Sequence, residues 1–370
     1  MSVNISLQDA AIAHRVNLER YSNGAVYRII AVLNKADAEL FTLLTNALDQ
    51  LPEGSFTVER LEQLLLSVRE LNLQAYTQVE KELTADLKAL TAHEAGYQAD
   101  LFASTFPARV LAQVSIARVD IEQAYSAALA RPFQGRLLKE WAQSLEAGRM
   151  VRIRDAIRMG YVQGEPISAI VRRVRGTKAK GFSDGIIEID RRHAEAVVRT
   201  AISHTAAVTR TRFHDDNGDL IKAVRWLSTL DTRTTEICML RDGKEYTPDT
   251  HKPIGHSLPW LGGPGQAHWG CRSVDTPITK SLREMGIDLD SFTPSDRASM
   301  DGTVPNETTY GEWLARQGKD RQIEVLGATR AKLLRDGGLP LERFANDKGK
   351  FYTLDELKKH DAKAFTRAGL

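Results

Sequence analysis

Hydrophobic residues in the first hundred positions recur every three or four residues, which is the spacing of one face of an α-helix. The repeat runs from Leu33 to Leu48 and again from Leu61 to Leu90. The segment 51–55 (LPEGS) interrupts it, and Thr57 is a suitable N-cap for the second helix. Antiparallel pairing would bury both apolar stripes, so the pattern predicts a long N-terminal helical hairpin or bundle.

Helical periodicity continues through the next hundred residues. It predicts helices over 108–129, 137–161 and 189–214. Pro166 is placed as the first residue of a short helix that stops at Gly176.

From residue 220 onward the pattern changes from helical spacing to short alternating runs and turn residues. The irregular loop 247–266 contains four prolines and four glycines, and Asp242-Gly243 predicts a tight turn. A short helix capped by Asp231 is expected to run to about residue 240. Strands are predicted over 222–228, 244–246 and 271–278, which makes this region a small α+β module.

The last eighty residues return to helical spacing. Helices are predicted over 310–317, 321–335 and 353–359, the last with a capping box formed by Thr353 and Glu356. The chain is therefore expected to be mainly α with a small inserted α+β module. The expected regions are an N-terminal helical bundle (1–135), a helical body with a basic run (136–219), the module (220–285) and a C-terminal helical segment (286–370).

Composition excludes several classes of protein. Lys and Arg total 50 against 48 for Asp and Glu, so the net charge of +2 creates no global field toward nucleic acid or membranes. No apolar run approaches the roughly 20 residues that a membrane helix needs, and the first residues do not resemble a secretory signal. Two cysteines in 370 residues exclude a disulfide-dense scaffold and favour a reducing cytoplasm.

One stretch is locally basic: residues 149–180 contain nine basic and two acidic side chains. Arg172, Arg173 and Arg175 could neutralise phosphates of packaged DNA. The alternative is a solvated helix face that is partly paired with Asp155 and Glu165. Both interpretations stay open at this point.

Both cysteines fall within the module. His268 and Cys271 form an H-x-x-C pair, whose tight turn can place an imidazole and a thiolate on one ion, and Cys238 arrives from a separate element. A tetrahedral Zn²⁺ would use these three residues and a fourth ligand, His256 or His251. The cysteines could instead be buried small hydrophobes, a disulfide or a reactive thiol. Neither a nucleophile elbow nor an orienting Asn or Asp stands out, so no catalytic residue is assigned.

The order of motifs in the module resembles a known family. It consists of W-L-S-T-L-D-T-R-T (226–234), Cys238, R-D-G-K-E-Y (241–246) and G-G-P-G-Q-A-H-W-G-C-R-S (262–273). This order resembles the phage Mu protein F-like minor head proteins, and flanking segments extend the resemblance over roughly residues 150–360. The chain departs from the family pattern at Trp269, where the family often has Pro, and at Ser273, where it often has another Cys. The absent cysteine favours a mixed or vestigial metal site.

The resemblance implies a minor capsid protein that acts in prohead assembly near the portal and is ejected with the DNA. It implies a virion protein without enzymatic activity, assembled in the host cytoplasm without a membrane. Its partners would be the portal and other capsid or scaffold proteins, with packaged double-stranded DNA as a further candidate. Two alternatives are a metal- or thiol-dependent enzyme centred on Cys238, His268 and Cys271, and a DNA-binding accessory protein.

The resemblance also implies structural roles within the module. Asp231 and Arg233 are expected to lock it through a buried ion pair or caps, and the stretches around Trp226, Cys238 and Cys271 should converge into one compact unit. The residues expected to be structural are Trp226, Asp231, Arg233, Asp242, Gly243 and Arg272.

Overall fold

The computed structural model describes residues 3–49, 58–106, 108–163, 165–281, 284–285, 296–305 and 308–370. The expected helix break at 51–55 and the N-cap at Thr57 lie outside the described residues. The expectation of a mainly α chain with a small α+β module is confirmed. Within the described residues the helices are α1 (Val3–Asp49), α2 (Val58–Thr105), α3 (Ala108–Leu111), α4 (Ile121–Ala130), α5 (Leu138–Val162), α6 (Ile167–Arg175), α7 (Ile186–Asp216), α8 (Glu236–Arg241), α9 (Tyr310–Ala315), α10 (Lys319–Leu326), α11 (Ala328–Arg335), α12 (Leu354–His360) and α13 (Ala362–Ala368). The strands are β1 (Ile221–Leu227), β2 (Glu245–Tyr246), β3 (Pro253–Ile254), β4 (Val274–Thr279), β5 (Asp296–Ser299) and β6 (Gly302–Pro305).

The chain forms two compact units. The first, which we call the mixed unit, combines Met1–Glu19, Ala92–Ala124 and Ala206–Leu370. The second, the helical unit, combines Arg20–Thr91 and Tyr125–Thr205. The division of the sequence into four consecutive regions stays a prediction.

In the helical unit, α1 and α2 pair in antiparallel fashion as the apolar stripes predicted. Near one end the Tyr21 hydroxyl donates to the Asp86 carbonyl at 2.7 Å, and further along Leu40 shares a core with Leu65. Asp37 of α1 is almost fully buried and accepts hydrogen bonds from Arg149 at 2.6 Å and from Arg191 at 2.8 Å. A buried carboxylate with two guanidinium partners is well compensated, so it fixes α1 against α5 and α7.

The prediction of one continuous helix over residues 108–129 is wrong for the middle of that segment. The structure has α3 and α4 instead, and residues 114–120 between them are neither helical nor extended in a sheet. The side-chain oxygen of Asn217 accepts from the Ala117 N–H at 2.8 Å, and its amide donates to the Ala117 carbonyl at 3.1 Å. This amide occupies both backbone groups that a helix would use, and Asp120 then caps the next helix through the Gln123 N–H.

In the mixed unit the module is built on an antiparallel sheet of strand order β3-β2-β1-β4. The predicted strands are present, although β4 begins only at Val274, and β3 forms within the loop predicted to be irregular. Trp226, Cys238 and Cys271 belong to one buried cluster, which also includes Phe102 and Phe213. The expectation that these distant stretches converge is therefore confirmed.

The C-terminal helices pack around a second core of the mixed unit, which contains Trp313, Leu333 and Phe344. The helix predicted over 321–335 is divided into α10 and α11 by Gly327, whose φ of +76° lies in the left-handed region. The capping box of Thr353 and Glu356 is confirmed at the start of α12. Within the described part of the chain, we find no helix with the length and hydropathy that crossing a bilayer requires.

Candidate functional site

Three potential metal ligands meet where α8 faces the loop that leads into β4. The ligand atoms of Cys238, His268 and Cys271 all lie within 4.8 Å of one another. The Cys238 sulfur is 3.1 Å from His268 Nε2 and 3.7 Å from the Cys271 sulfur. Both thiols are free and buried, whereas the imidazole is partly buried.

Local backbone structure brings these side chains together. Thr235 occupies the N-cap position of α8 with an extended backbone, and Cys238 follows within the first helical turn. The H-x-x-C segment closes as a turn, in which the Cys271 N–H donates to the His268 carbonyl at 3.2 Å. Gly270 in this turn has a φ of +60°, a conformation that glycine adopts without strain. The turn directs the imidazole and the thiol toward Cys238.

Hydrogen bonding selects one tautomer of His268. Its Nδ1 lies 2.9 Å from the Trp269 carbonyl oxygen, which can only accept, so Nδ1 carries the proton. The neutral ring therefore presents the lone pair of Nε2 to the cysteines, and the Thr235 hydroxyl lies 2.9 Å from that atom. A backbone carbonyl that orients the second nitrogen is typical of metal-binding histidines.

The two thiols differ in acidity because they share one hydrogen bond. That bond raises the pKa of Cys238, and burial raises it further. The same bond holds the pKa of Cys271 well below its usual value against the opposing effect of burial, with a further contribution from His268. Burial lowers the pKa of His268, but the hydrogen bond and charge of Cys271 outweigh it, so the net shift is upward. The Gly265 N–H also points toward the Cys271 sulfur, at 3.3 Å.

His256, predicted as a tentative fourth ligand, does not belong to this group. Its Nε2 lies 2.9 Å from the Glu245 carbonyl, and its Nδ1 accepts from the Leu258 N–H at 3.2 Å. Both ring nitrogens therefore serve the backbone around β2. His251 stacks on Trp260 with ring centroids 4.4 Å apart.

Asp242 fixes the module to the C-terminal helices. One carboxylate oxygen accepts from the Ser228 N–H at 2.7 Å, and the other accepts from the Tyr310 N–H at 2.8 Å. The next residue, Gly243, has a φ of +75° and donates its N–H to the Trp226 carbonyl. The predicted D-G turn therefore joins the end of β1 to the start of α9.

Asp231 forms its close ion pair with Arg272, whereas the expected pair with Arg233 is longer and lies at the surface. Arg272 binds it with two nitrogens, one of them 2.7 Å from Oδ1. Arg233, the expected partner, is 77% exposed and its guanidinium lies 3.9 Å from the carboxylate. The Arg233 backbone N–H and the Thr234 hydroxyl also donate to Asp231, at 3.0 Å and 3.2 Å, so this aspartate caps its turn and pairs with Arg272.

A buried ionic network in the mixed unit was not predicted. Arg210 lies between two carboxylates, 2.7 Å from Asp275 and 3.3 Å from Glu94. A histidine completes each end: His14 is 2.5 Å from Glu94, and His214 is 3.3 Å from Asp275. All five side chains are almost fully buried.

The electrostatics of this network favour ionised carboxylates. Burial alone would raise the pKa of Asp275, but Arg210 and His214 outweigh it and lower the pKa well below its ordinary value. The pKa of Glu94 is also lowered, since His14 and Arg210 outweigh its burial. The sequence signal was weak: Arg210 and His214 are one helical turn apart on the apolar face of a predicted helix, and their partners are distant in sequence.

The basic run of residues 149–180 is largely neutralised within the helical unit. Arg173, one of the three predicted DNA contacts, pairs with Glu165, whereas Arg172 and Arg175 are exposed. The Arg175 guanidinium lies over the rings of Phe41 and Phe182. Four further pairs are Arg149–Asp37, Arg152–Asp190, Arg154–Asp155 and Arg158–Glu62.

Residues 151–276, about a third of the chain, match the family model described as phage Mu protein F like protein. The resemblance seen in the sequence is confirmed over this segment, which contains Trp226, Asp242 and all three members of the Cys/His group. No curated protein and no solved structure matches the chain.

Proposed function

From the match of residues 151–276 to the phage Mu protein F like family, we propose that this chain is a minor head protein that acts in head morphogenesis. This family match is the observation on which the proposal rests. The matched segment includes Asp242, whose carboxylate accepts hydrogen bonds from the Ser228 and Tyr310 backbone N–H groups. In this role the chain would be a structural component of the virion, assembled in the host cytoplasm.

We further propose that the protein lies near the portal, where it contacts the portal and other capsid or scaffold proteins. It would be ejected together with the DNA. Exposed apolar side chains on helices of the helical unit offer contact area for such partners. Leu66 is 64% exposed on α2, and Val162 is 80% exposed at the end of α5.

Quantitative mass spectrometry of proheads, mature virions and virions emptied of DNA tests this function. We expect the chain in proheads and virions at an amount similar to that of the portal protein, and depleted from emptied particles. An abundant host protein measured in the same fractions controls for contamination. Absence from both proheads and virions would refute the head-protein proposal, whereas retention in emptied particles would refute ejection alone.

A second candidate function is contact with packaged DNA, favoured by the exposure of Arg172 and Arg175 at the end of α6. The variant R172Q/R175Q should reduce the salt dependence of binding to duplex DNA, lowering the slope of log K against log salt by about two. The matched control R69Q/R131Q removes the same charge from exposed positions elsewhere in the helical unit. Equal slopes for both variants and the parent would contradict a specific contact.

The alternative of a thiol-dependent enzyme receives little support from the site. Cys238 and Cys271 are 2% and 0% exposed, although a cysteine nucleophile needs access to its substrate. The geometry of the Cys/His group favours a structural role.

A further inference from the structure

We propose that Cys238, His268 and Cys271 bind a zinc ion that fastens α8 to the loop before β4, with a fourth position open to a hydroxyl or a water. The three ligand atoms form a compact group contributed by two segments of the chain. The inference rests on this geometry and is independent of the proposed role in the phage head.

The spacing of the ligand atoms fits a tetrahedral ion. Two thiolates that each lie about 2.3 Å from zinc in a tetrahedron are about 3.8 Å apart. The Cys238 and Cys271 sulfurs are 3.7 Å apart. A thiolate and an imidazole nitrogen would be about 3.5 Å apart on the same ion, so the observed 3.1 Å from Cys238 to His268 Nε2 must widen by only about 0.4 Å.

Charge compensation also favours a divalent cation here. Zinc binds cysteine as thiolate, and two buried thiolates side by side require a compensating positive charge. Zn²⁺ neutralises two thiolates while His268 stays neutral, and the centre then carries no net charge. Because Nδ1 donates to the Trp269 carbonyl, Nε2 is already presented as the ligand atom.

The fourth position lies among hydroxyl groups. The Thr235 hydroxyl is 2.9 Å from His268 Nε2, and the buried Ser273, two residues after Cys271, has its hydroxyl 3.4 Å from the Ser228 hydroxyl. Thr235 is exposed, so an ion held by three protein ligands has an exchangeable position on the solvent side. A cysteine at position 273 would offer a thiolate in place of the serine hydroxyl and complete the coordination.

The first experiment measures zinc in the full chain after reconstitution with zinc chloride in reducing buffer and removal of free metal. We expect about one zinc per chain, and a thiolate-to-metal charge-transfer band when cobalt chloride replaces zinc. H268N should weaken zinc binding by at least about tenfold, whereas H256N, a change of the same kind in the same loop, should bind like the parent. Negligible zinc in the parent, or equal losses in H268N and H256N, would overturn the proposal.

A gain-of-affinity variant keeps the proposal testable if loss variants unfold. S273C should bind zinc at least about tenfold more tightly than the parent in competition with a chelating dye, and should intensify the cobalt charge-transfer band. Unchanged affinity and an unchanged cobalt spectrum in a folded S273C would overturn the geometry proposed here. These readouts do not depend on virion composition, so they can fail while the head-protein proposal stands, and the reverse.

Discussion

The junction at Asp242 gives a sharp test of how the mixed unit is held together. Its side chain is 3% exposed, and its two oxygens accept separate backbone N–H groups, from Ser228 at 2.7 Å and from Tyr310 at 2.8 Å. D242N preserves shape but leaves only one acceptor oxygen. The new NH₂ group then faces an N–H donor, whichever way the amide is oriented.

The magnitude follows from these two contacts. Losing one hydrogen bond to a charged acceptor costs about 1.5–3 kcal/mol, and leaving a buried N–H without an acceptor accounts for much of that cost. We therefore expect D242N to lower the free energy of unfolding of the mixed unit by about 2–4 kcal/mol. D242A, which removes both acceptors and leaves a small cavity, should cost more than D242N.

Urea unfolding followed by tryptophan fluorescence is a suitable assay, because Trp226 and Trp313 are both buried in the mixed unit. D219N is the matched control, since Asp219 is exposed two residues before β1 and should unfold like the parent. A D242N variant within about 0.5 kcal/mol of the parent, with an unchanged urea dependence, would refute the reasoning.

Two further predictions concern the buried network and helix packing. Because the pKa of Asp275 is lowered by folding, its carboxylate stabilises the protein above the unfolded-state pKa of about 4 and stops doing so as the pH falls further. D275N should thus lower the free energy of unfolding, measured in urea, by about 3 kcal/mol at pH 7. This difference in stability between D275N and the parent should shrink below about pH 4. A stability difference that grows on acidification would contradict the prediction. In α5, a Cβ at Gly160 would lie 2.3 Å from Ile170 Cγ1, so G160A should destabilise by about 1–2 kcal/mol despite the higher helix propensity of alanine. In the same helix, the new methyl group of G148A would lie 3.4 Å from the Arg152 guanidinium, and this variant should stabilise the protein by up to about 1 kcal/mol. Thermal unfolding measures both effects. If G160A and G148A changed the stability in the same direction, the packing argument for Gly160 would be wrong.

Elements with a strong local signal could be predicted from the sequence. The helical hairpin followed from apolar stripes many turns long, and the D-G turn followed from Gly243, which adopts a positive φ. The break between α10 and α11 was missed because a single glycine inside a helical pattern costs only about 1 kcal/mol and does not by itself end a helix. The non-helical segment around Ala117 depends on Asn217, which is remote in sequence, so no local pattern could indicate it.

In the candidate site, too, the features set by neighbouring residues could be predicted, and those that depend on distant residues could not. The H-x-x-C spacing predicted that His268 and Cys271 would share a turn, because four consecutive residues can close one without help from elsewhere. His256 was chosen for its nearness in sequence, and its nitrogens instead hold the backbone beside β2. The network around Arg210 escaped prediction because each partner occupies a different element, and pattern alone does not reveal which buried charges meet.

The mixed unit draws on three separate stretches of chain, so residues that are far apart in sequence lie side by side. The Asn4 side chain, for example, accepts the Thr279 N–H at 2.8 Å on the outer edge of β4. During synthesis, the mixed unit therefore cannot complete its fold until the stretch that begins at Ala206 has left the ribosome. All residues of the helical unit leave the ribosome before that stretch. A fusion or deletion near residue 4 would therefore disturb β4, the strand that directly follows the loop with His268 and Cys271, although the two are far apart in the gene.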